Sequence, residues 1–183
     1  MGKREGGVRL LRTIDERPTG SALLIAAIEN QGAVTPCVVH PGTAACLCYD
    51  AATSQVLLVR QSRPVVGRDT LEVPSGIVED GEDPLETARR ETLEETGIYG
   101  EDLRLLGKTL SSVGMSTELI HLFWTDDWAR LDCSKPELDS LWVPLDSAVQ
   151  LVQSEGGDSK TLCSLLLLLL ELSRLRTDST SAE

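Results

Sequence analysis

The amino-acid sequence predicts an α/β domain, an α/β/α sandwich in which a mixed sheet lies between helices. Three observations predict it. Strand-like apolar segments lie on both sides of one central helix, which is bounded by Asp83 and Gly97, and two further helical segments at 145–153 and 158–175 close the chain. A length of 183 residues suits one domain with a core of ordinary size.

The first 35 residues carry weaker patterns than the rest. Residues 8–11 and 22–28 are interpreted as strands or a hairpin at the edge of the main domain, with a break at 16–20. The second stretch is also compatible with a helix. Residues 1–35 are therefore treated as an extension, and the main domain is assigned to 36–176.

Clear strand patterns begin after residue 36. The stretches 43–49 and 56–60 predict a hairpin, and 71–74 predicts a strand that leads into a glycine-rich loop. After the central helix, 103–110 and 119–125 are interpreted as strands, and 126–135 as an acidic turn region. A short strand is assigned to 141–144 and a disordered tail to 177–183.

The central helix has clear start and stop signals. Asp83 is a suitable N-cap, Pro84 suits the first turn, and Glu86 follows the cap by three residues. Gly97 provides the stop. The helix is thus defined at both ends by local chemistry.

Three acids on this helix, Glu91, Glu94 and Glu95, lie at positions i, i+3 and i+4. Carboxylates so close would repel one another unless a cation lay among them. Because neither His nor Cys is nearby, the oxygen ligands indicate Mg²⁺, with Mn²⁺ as an alternative. A solvated helix with ion pairs from Arg90 is the other interpretation, but it would not require a glycine loop and Glu82 at set distances upstream.

Composition restricts the class of partner. The formal charge of −12 and a pI near 4.6 argue against a nucleic-acid polymer. Five cysteines without a CxxC pair, and only two histidines, favour reduced thiols in the cytoplasm and no zinc site. The leucine run 165–170 is too short for a membrane span of about 18 residues, so a buried or dimer-facing helix is expected.

The glycine loop and helix together resemble the Nudix hydrolase motif, in which G, E, R-E, E-E and G stand at fixed spacing before an apolar residue. Thr92 departs from the motif, since the family usually has a bulky aliphatic residue there. The positions that match are Gly76, Glu82, Arg90, Glu91, Glu94, Glu95, Gly97 and Ile98.

The resemblance implies a Nudix-type fold and assigns roles within the motif. Glu91, Glu94 and Glu95 would hold the metal, and Ser75 would add a backbone carbonyl. The remaining pair, Glu82 and Arg90, would orient the ligating acids.

Residues 34–174 resemble most closely the ADP-ribose pyrophosphatase branch of that family. The resemblance implies that Arg63 contacts substrate phosphate or ribose and that Glu72 contacts substrate or metal. Arg63 could instead only cover the surface with its aliphatic part. Residues 1–35 would serve a homodimer, as they do in that branch.

A loop after the helix departs from the branch. The usual proline sixteen residues after Gly97 is replaced by Val113, which leaves the substrate open. Gly114 and Met115 would border the nucleoside or ribose, although Met115 could equally fill core. Glu118 is a further candidate in this region.

The general base of this branch tends to come from the loop before the last strand. Glu137 is the candidate here, with Asp139 in the same loop and Glu118 and the helix acids as competitors.

The expected function is therefore Mg²⁺-dependent hydrolysis of a nucleoside diphosphate linked to another group, with ADP-ribose giving AMP and ribose 5-phosphate. The alternatives are another NDP-sugar, a dinucleotide or a nucleoside triphosphate. A module that senses a nucleotide without cleaving it is the alternative of a different class. The expected partners are a small nucleotide-type substrate and a second copy of the chain, with no nucleic acid and no membrane.

Overall fold

The computed structural model of the chain describes residues 9–16, 24–30, 33–131 and 135–180. Its strands are β1 (Arg9–Glu16), β2 (Leu24–Asn30), β3 (Ala33–Val39), β4 (Thr43–Asp50), β5 (Gln55–Arg63), β6 (Arg68–Glu72), β7 (Ser75–Ile77), β8 (Ile98–Gly100), β9 (Arg104–Leu110), β10 (Leu119–Thr125), β11 (Trp128–Arg130) and β12 (Asp139–Pro144). Its α-helices are α1 (Pro84–Thr96), α2 (Leu145–Ser154) and α3 (Ser159–Thr180), and a 3₁₀ turn spans Pro64–Val66.

The main sheet is mixed, as predicted. Its strands follow the order β12-β5-β4-β10-β9, with β6 added to β5 and β7 added to β4. Strands β4 and β10 pair in parallel, and the other pairs are antiparallel. The short strands β8 and β11 form a separate antiparallel pair.

Helices cover both faces of this sheet, so the α/β/α prediction is confirmed. Side chains alternate along β4: Leu47 joins the core beneath α2 and α3, whereas Ala44 and Cys46 pack with Ala88 of α1. A strand buried on both faces is expected at the centre of a sandwich. The three helices therefore enclose the sheet.

The N-terminal strands form a sheet of their own, in the order β1-β2-β3 with antiparallel pairing. The strand interpretation of 22–28 is confirmed for the described part, because β2 pairs with a neighbour on each side. The boundary predicted at residue 36 falls within β3. Backbone bonds join this sheet to the loop before β10: Val38 N–H donates to the Met115 carbonyl at 2.8 Å, and Thr117 N–H donates to the Val38 carbonyl at 3.0 Å.

Two predictions along the chain were wrong in part. The turn region predicted at 126–135 contains β11, which pairs with β8; Trp128 also donates from Nε1 to the Tyr49 carbonyl at 3.1 Å. The tail predicted to be disordered from residue 177 is helical to Thr180, because α3 continues without a glycine or proline to stop it; residues 181–183 lie outside the described part.

The leucine run of α3 is buried on one side only. Leu165 and Leu168 are fully buried in the core, whereas Leu166, Leu169 and Leu170 are at least partly exposed. Among the described residues, no helix is both long enough and apolar enough to cross a bilayer.

This asymmetry predicts the effects of matched truncations on one helix. We expect Leu168→Ala to lower the free energy of unfolding by about 2–5 kcal/mol, because a fully buried leucine leaves a cavity. Leu170→Ala is the control: its side chain is 63% exposed, so the loss should stay below about 1 kcal/mol. Urea unfolding of both variants measures this difference, and equal losses would contradict the assignment of the buried face.

Candidate active site

The acidic helix is held at both ends by the residues that predicted it. Asp83 Oδ1 accepts the Leu85 N–H at 2.9 Å, and Pro84 occupies the first turn. Gly97 ends the helix with φ of 71° and donates its N–H to the Leu93 carbonyl at 2.8 Å. This positive φ is one that glycine adopts without strain. Local hydrogen bonds therefore fix both ends of the helix, and with them the positions of its acids.

Two of the three helix acids face the turn that contains β7. Glu95 Oε2 accepts the Ser75 N–H at 3.1 Å. A Cβ added at Gly76 would lie 2.0 Å from Glu91 Cδ, so the carboxylate occupies the space that a side chain at Gly76 would take. Glu94 lies further out, with its side chain 47% exposed. The structure thus brings Glu91 and Glu95 to Ser75 and Gly76, and the contact of Glu95 is with the Ser75 N–H.

Arg90 donates hydrogen bonds to three of the acids beside this turn. Its Nε and Nη2 donate to Glu82 Oε1 and Oε2, each at 3.0 Å. Its Nη1 donates to Glu91 Oε1 at 2.8 Å and to Glu94 Oε2 at 3.2 Å. The hydrogen bond from Arg90 is the main reason that the pKa of Glu82 falls to about 2. The contact between Glu82 and Arg90 fits the orienting role predicted for this pair.

The positive charge around Glu91 and Glu95 is too small to offset the effect of burial on their pKa values. Burial raises the pKa of Glu95 to about 7, despite the hydrogen bond from Ser75. Burial also raises the pKa of Glu91, against the opposing effect of Arg90. A buried carboxylate whose charge is not balanced favours protonation or a bound cation.

Oxygen donors at this turn fit a hard divalent cation. Glu91, Glu94 and Glu95 offer carboxylates within one helical turn, and Gly76 keeps space beside them. Across the described ranges, no three acidic, imidazole or thiol groups already converge on one point. Arg90 draws Glu91 and Glu94 toward itself, so these two side chains would have to turn from the guanidinium to share a cation with Glu95.

A cleft of about 680 Å³ opens over Ser75 and Gly76. One wall is polar and comes from the segments around β4 and β10. The other wall comes from the β5–β6 connection and the turn between α2 and α3. The principal residues of the polar wall are His40, Thr43, Ser111 and Glu118, and those of the second wall are Val65, Val66, Arg68, Gly156 and Gly157.

A buried ion network lies between these walls. Glu72 accepts Arg63 Nε at 2.7 Å and Arg63 Nη2 at 2.6 Å, and it also accepts Thr70 Oγ1 at 2.6 Å. Lys160 Nζ donates to Glu72 Oε2 at 2.5 Å and to Asp158 Oδ2. Burial alone would raise the pKa of Glu72, but hydrogen bonds and charge from Arg63 and Lys160 outweigh it and lower the pKa. Arg63 and Glu72 thus both line the cleft, and they are bound to each other.

Glu118 belongs to the polar wall. Its Oε1 accepts Thr43 Oγ1 at 2.5 Å and lies 3.7 Å from His40 Nε2. Burial would raise the pKa of Glu118, but hydrogen bonds from Ser111 and Thr43 and the charges of His40 and Lys160 together lower it. The predicted candidate is therefore an ionised acceptor inside the cleft.

Eight predicted site residues do not line this cleft. Five of them, Glu82, Arg90, Glu91, Glu94 and Glu95, lie behind the turn at Ser75 and Gly76, and the other three lie elsewhere. Gly114 and Met115 lie in an exposed loop, where the Met115 carbonyl accepts the Val38 N–H. The alternative that Met115 fills core was wrong, because its side chain is 69% exposed. Glu137 is exposed and lies beside the end of α1, where its N–H donates to the Glu94 carbonyl at 3.0 Å.

Sequence reasoning missed Lys160 and Arg68 as cleft residues. Both are far in sequence from the helix motif, and neither belongs to a pattern of metal ligands. Lys160 carried one usable signal, since a lysine directly after a predicted helix start is an unusual choice beside a positive helix end.

Comparisons with known proteins agree with this geometry. A family model described as the NUDIX domain matches residues 39–165. An ADP-ribose pyrophosphatase of Bacillus subtilis (strain 168) is 35% identical over 131 residues, which cover 68% of this chain and 70% of that protein. A GDP-mannose pyrophosphatase of Escherichia coli O1:K1 / APEC is 32% identical over 142 residues, which cover 70% and 73%.

A solved structure described as an ADP compounds hydrolase has the same fold. It superposes with a TM-score of 0.72 and covers 95% of this chain and 98% of its own, at 18% identity. At this identity the likeness concerns the fold alone.

The close contact between Gly76 and the Glu91 carboxylate predicts the effect of adding a methyl group at Gly76. Gly76→Ala should weaken the binding of Mn²⁺, used as a paramagnetic probe, by about 10–100-fold, because the new Cβ displaces the Glu91 carboxylate. Gly107→Ala is the matched control, since its Cβ would lie 3.5 Å from Leu167 Cδ1 in ordinary contact. Electron paramagnetic resonance titration measures free Mn²⁺. Unchanged affinity in Gly76→Ala would contradict the packing of Glu91 on this turn.

The raised pKa of Glu95 makes a second prediction, for the protein in EDTA. An unfolded glutamate titrates near about 4.3, whereas folded Glu95 has a pKa of about 7. Between these values the folded chain keeps the proton that the unfolded chain has lost. The stability linked to Glu95 is therefore fully present below about pH 4.3 and is lost as the pH rises to about 7.

This loss in the free energy of unfolding is on the order of 3 kcal/mol. Glu95→Gln should abolish this pH dependence, because an amide does not titrate. Urea midpoints of both proteins measured from pH 4.5 to 8 test the difference. Parallel curves for wild type and variant would show that Glu95 is not buried as described.

Proposed function

The chain belongs to the NUDIX family and is a Nudix hydrolase, and on that premise we propose that it cleaves the pyrophosphate bond of ADP-ribose, with Mg²⁺, to AMP and ribose 5-phosphate. The single observation that carries this proposal is the placement of Glu91 and Glu95 against Ser75 and Gly76, two residues that line the cleft. A diphosphate bound over Ser75 and Gly76 would lie beside these acids. The similarity to an ADP-ribose pyrophosphatase supports the choice of substrate.

Glu91, Glu94 and Glu95, with the carbonyl of Ser75, are the residues that would hold the metal. A bound divalent cation would supply charge neutralisation at the diphosphate and a more acidic water. Arg90 would orient Glu82 through two hydrogen bonds, and Glu91 and Glu94, which accept from its Nη1, would turn from the guanidinium toward the cation.

The chain's own cations position the substrate. Arg63 is fixed by two hydrogen bonds to Glu72, and its outer N–H groups can donate to a phosphate or a ribose hydroxyl. Lys160 holds the same carboxylate from the inner side. Glu118 accepts from hydroxyls on the opposite wall, and Gly114 and Met115 are proposed to approach the substrate from the neighbouring loop.

We propose Glu137 as the general base that removes a proton from the attacking water. Its backbone bond to Glu94 places it at the same end of α1 as Glu94 and Glu95, and its side chain is exposed. Glu118 is the competing candidate because it lies inside the cleft as an ionised acceptor.

Another NDP-sugar is the second candidate substrate. Similarity to a GDP-mannose pyrophosphatase supports it. Val113, which stands where the ADP-ribose branch usually has proline, is 84% exposed and free of the constraint that proline would impose on its loop.

Assembly and location are proposed on further grounds. We propose a homodimer formed through the N-terminal sheet, because β1 leaves one strand edge unpaired within the described chain. A cytoplasmic location agrees with the free thiols, among them the buried Cys46 and Cys48.

A substrate panel with one active-site variant tests the proposed function. ADP-ribose, GDP-mannose, UDP-glucose, NADH, diadenosine polyphosphates and nucleoside triphosphates are assayed with Mg²⁺ for released monophosphate. We expect the highest kcat/KM for ADP-ribose. Glu95→Gln should lower kcat about 100-fold or more, because it removes a charged oxygen from the acid group.

Glu86→Gln is the control, since Glu86 lies on the same helix and pairs with Arg89 away from the cleft. Equal turnover by Glu95→Gln would refute the role of the acids. Preference for triphosphates over ADP-ribose would refute the assigned substrate.

A further inference from the structure

We propose that Cys46 and Cys48 form a covered dithiol, a binding site for soft thiophilic groups that α1 shields and that a divalent cation on the helix acids keeps closed. The covered dithiol, as we name these two residues, lies on β4, on the face of the sheet that α1 covers. A group that binds two sulfurs at once, such as a trivalent arsenical, is the chemical class of ligand that it fits. The assignment rests on that part of the proposed function which places a cation at the helix acids.

The two thiols lie side by side and are closed off from solvent. Residues at positions i and i+2 of a strand project from the same face of the sheet. Cys46 is 1% exposed and Cys48 is 0% exposed. A hydrogen bond with Cys48 is the largest cause, ahead of burial, of the raised pKa of the Cys46 thiol. The pair is therefore placed to bind one soft atom together, but a reagent reaches it only after the cover has moved.

Helix α1 and the residue that follows its stop glycine provide this cover. Cys46 packs against Ala88 of α1 and lies beside Thr92, one turn further along the helix. Cys48 packs against Ile98, which directly follows Gly97. A displacement of α1 together with Ile98 would therefore expose both sulfurs.

Helix α1 buries little apolar surface on the sheet. Its fully buried residues are Thr87, Ala88, Thr92, Glu95 and Thr96, and its two leucines, Leu85 and Leu93, are only partly buried. Helix α3, by contrast, fully buries two leucines in the core. Since the packing of apolar side chains supplies most of the stability of a helix in a protein, we expect α1 to open locally at a lower free energy than α3.

The buried hydroxyls of α1 do not attach it to the sheet either. Thr92 Oγ1 donates to the Ala88 carbonyl at 2.7 Å, and Thr96 Oγ1 donates to the Thr92 carbonyl at 2.6 Å. Both bonds lie within the helix, so they add nothing to its contact with β4. The surface above the covered dithiol is thus small in side-chain size and weak in attachment.

A cation at the helix acids would hold α1 in place. Glu91, Glu94 and Glu95 lie within one turn of this helix and repel one another. A divalent cation shared by these acids and the Ser75 carbonyl removes that repulsion and links α1 to β7. Because the cation binds only the closed arrangement, it lowers the open population by a factor of one plus the ratio of free cation to its dissociation constant. The dithiol is therefore accessible when the acids hold no cation and closed when they do.

Thiol labelling of the wild-type protein measures this opening. N-ethylmaleimide is added in EDTA or in Mn²⁺, and peptide mass spectrometry reads each cysteine separately. Mn²⁺ at about 100 times its dissociation constant should slow the labelling of Cys46 and Cys48 about 100-fold. Cys37 and Cys163 are internal references, because they are partly exposed and lie on β3 and α3. Their rates should change by less than about twofold.

Phenylarsine oxide tests whether the two thiols act together. Its arsenic–oxygen double bond breaks, two arsenic–sulfur bonds form, and the two thiol protons leave with the oxygen as water, so no atom is oxidised or reduced. In EDTA, wild type should bind the arsenical at this pair, and 2,3-dimercaptopropanol should remove it. Cys48→Ala should weaken the binding at least about tenfold, because a single thiol remains. Cys37→Ala is the matched control and should bind as wild type does.

Thr92→Val changes the cover but neither sulfur and none of the acids. Valine has a similar size and a more apolar side chain, and the hydroxyl that it removes bonds only within the helix. We expect the labelling of both thiols in EDTA to slow about fivefold, because the contact between α1 and β4 becomes more apolar. Thr35→Val, at an exposed position of β3, is the control and should leave both rates unchanged. Thermal unfolding verifies that every variant is folded.

The outcomes separate this inference from the proposed function. Equal labelling of the pair in EDTA and in Mn²⁺, no labelling in EDTA, or equal protection of all four thiols overturns it. Undiminished arsenical binding by Cys48→Ala overturns the dithiol, and an unchanged rate in Thr92→Val overturns the role of α1 as its cover. If ADP-ribose is cleaved with Mg²⁺ while the pair is unreactive in EDTA, this inference fails and the proposed reaction stands. If Mn²⁺ protects the pair while ADP-ribose is left intact, the proposed reaction fails and the covered dithiol stands.

Discussion

The structure depends on the burial of acidic side chains against a glycine turn. Glu91 and Glu95 project from α1 onto β7, where the absence of a side chain at Gly76 is required for the approach. Burial without an adequate counter-charge raises the pKa of both groups. The packing of α1 on β4 and β7 thus stores an electrostatic cost that a divalent cation would relieve. A helix whose only task was stability would have no reason to bury these acids.

Glu72, a buried acid that lines the cleft, has its pKa shifted in the opposite direction. Glu72 accepts four hydrogen bonds from Arg63, Thr70 and Lys160, and its pKa is lowered although the side chain is buried. A carboxylate with this many hydrogen-bond donors has its oxygen atoms fully paired and remains ionised. Glu95 has one backbone donor and a pKa of about 7. The site therefore separates a carboxylate that stays ionised and orders its surroundings from one whose pKa lies near neutrality.

The sequence predicted what depends on neighbours along the chain. The caps Asp83 and Gly97 define α1, and the spacing of its acids determines which of them face β7. The cleft wall depends on contacts between distant segments, which spacing does not reveal: Arg68 meets Gly156 only after α2 and α3 have packed on the sheet. The pairing of β8 with β11 has the same cause, since three-residue strands have no pattern of their own.

The end of the chain is part of the site for a physical reason. Thr161 Oγ1 accepts the Val73 N–H at 2.9 Å, and Asp158 Oδ1 accepts the Thr161 N–H at 2.8 Å. These bonds attach the first turn of α3 to the segment that leads from β6 into Ser75. Because Lys160 on the same turn also holds Glu72, a displacement of α3 would move both the network and the turn that faces the helix acids. The leucines that bury α3 in the core therefore stabilise the geometry of the cleft as well as the fold.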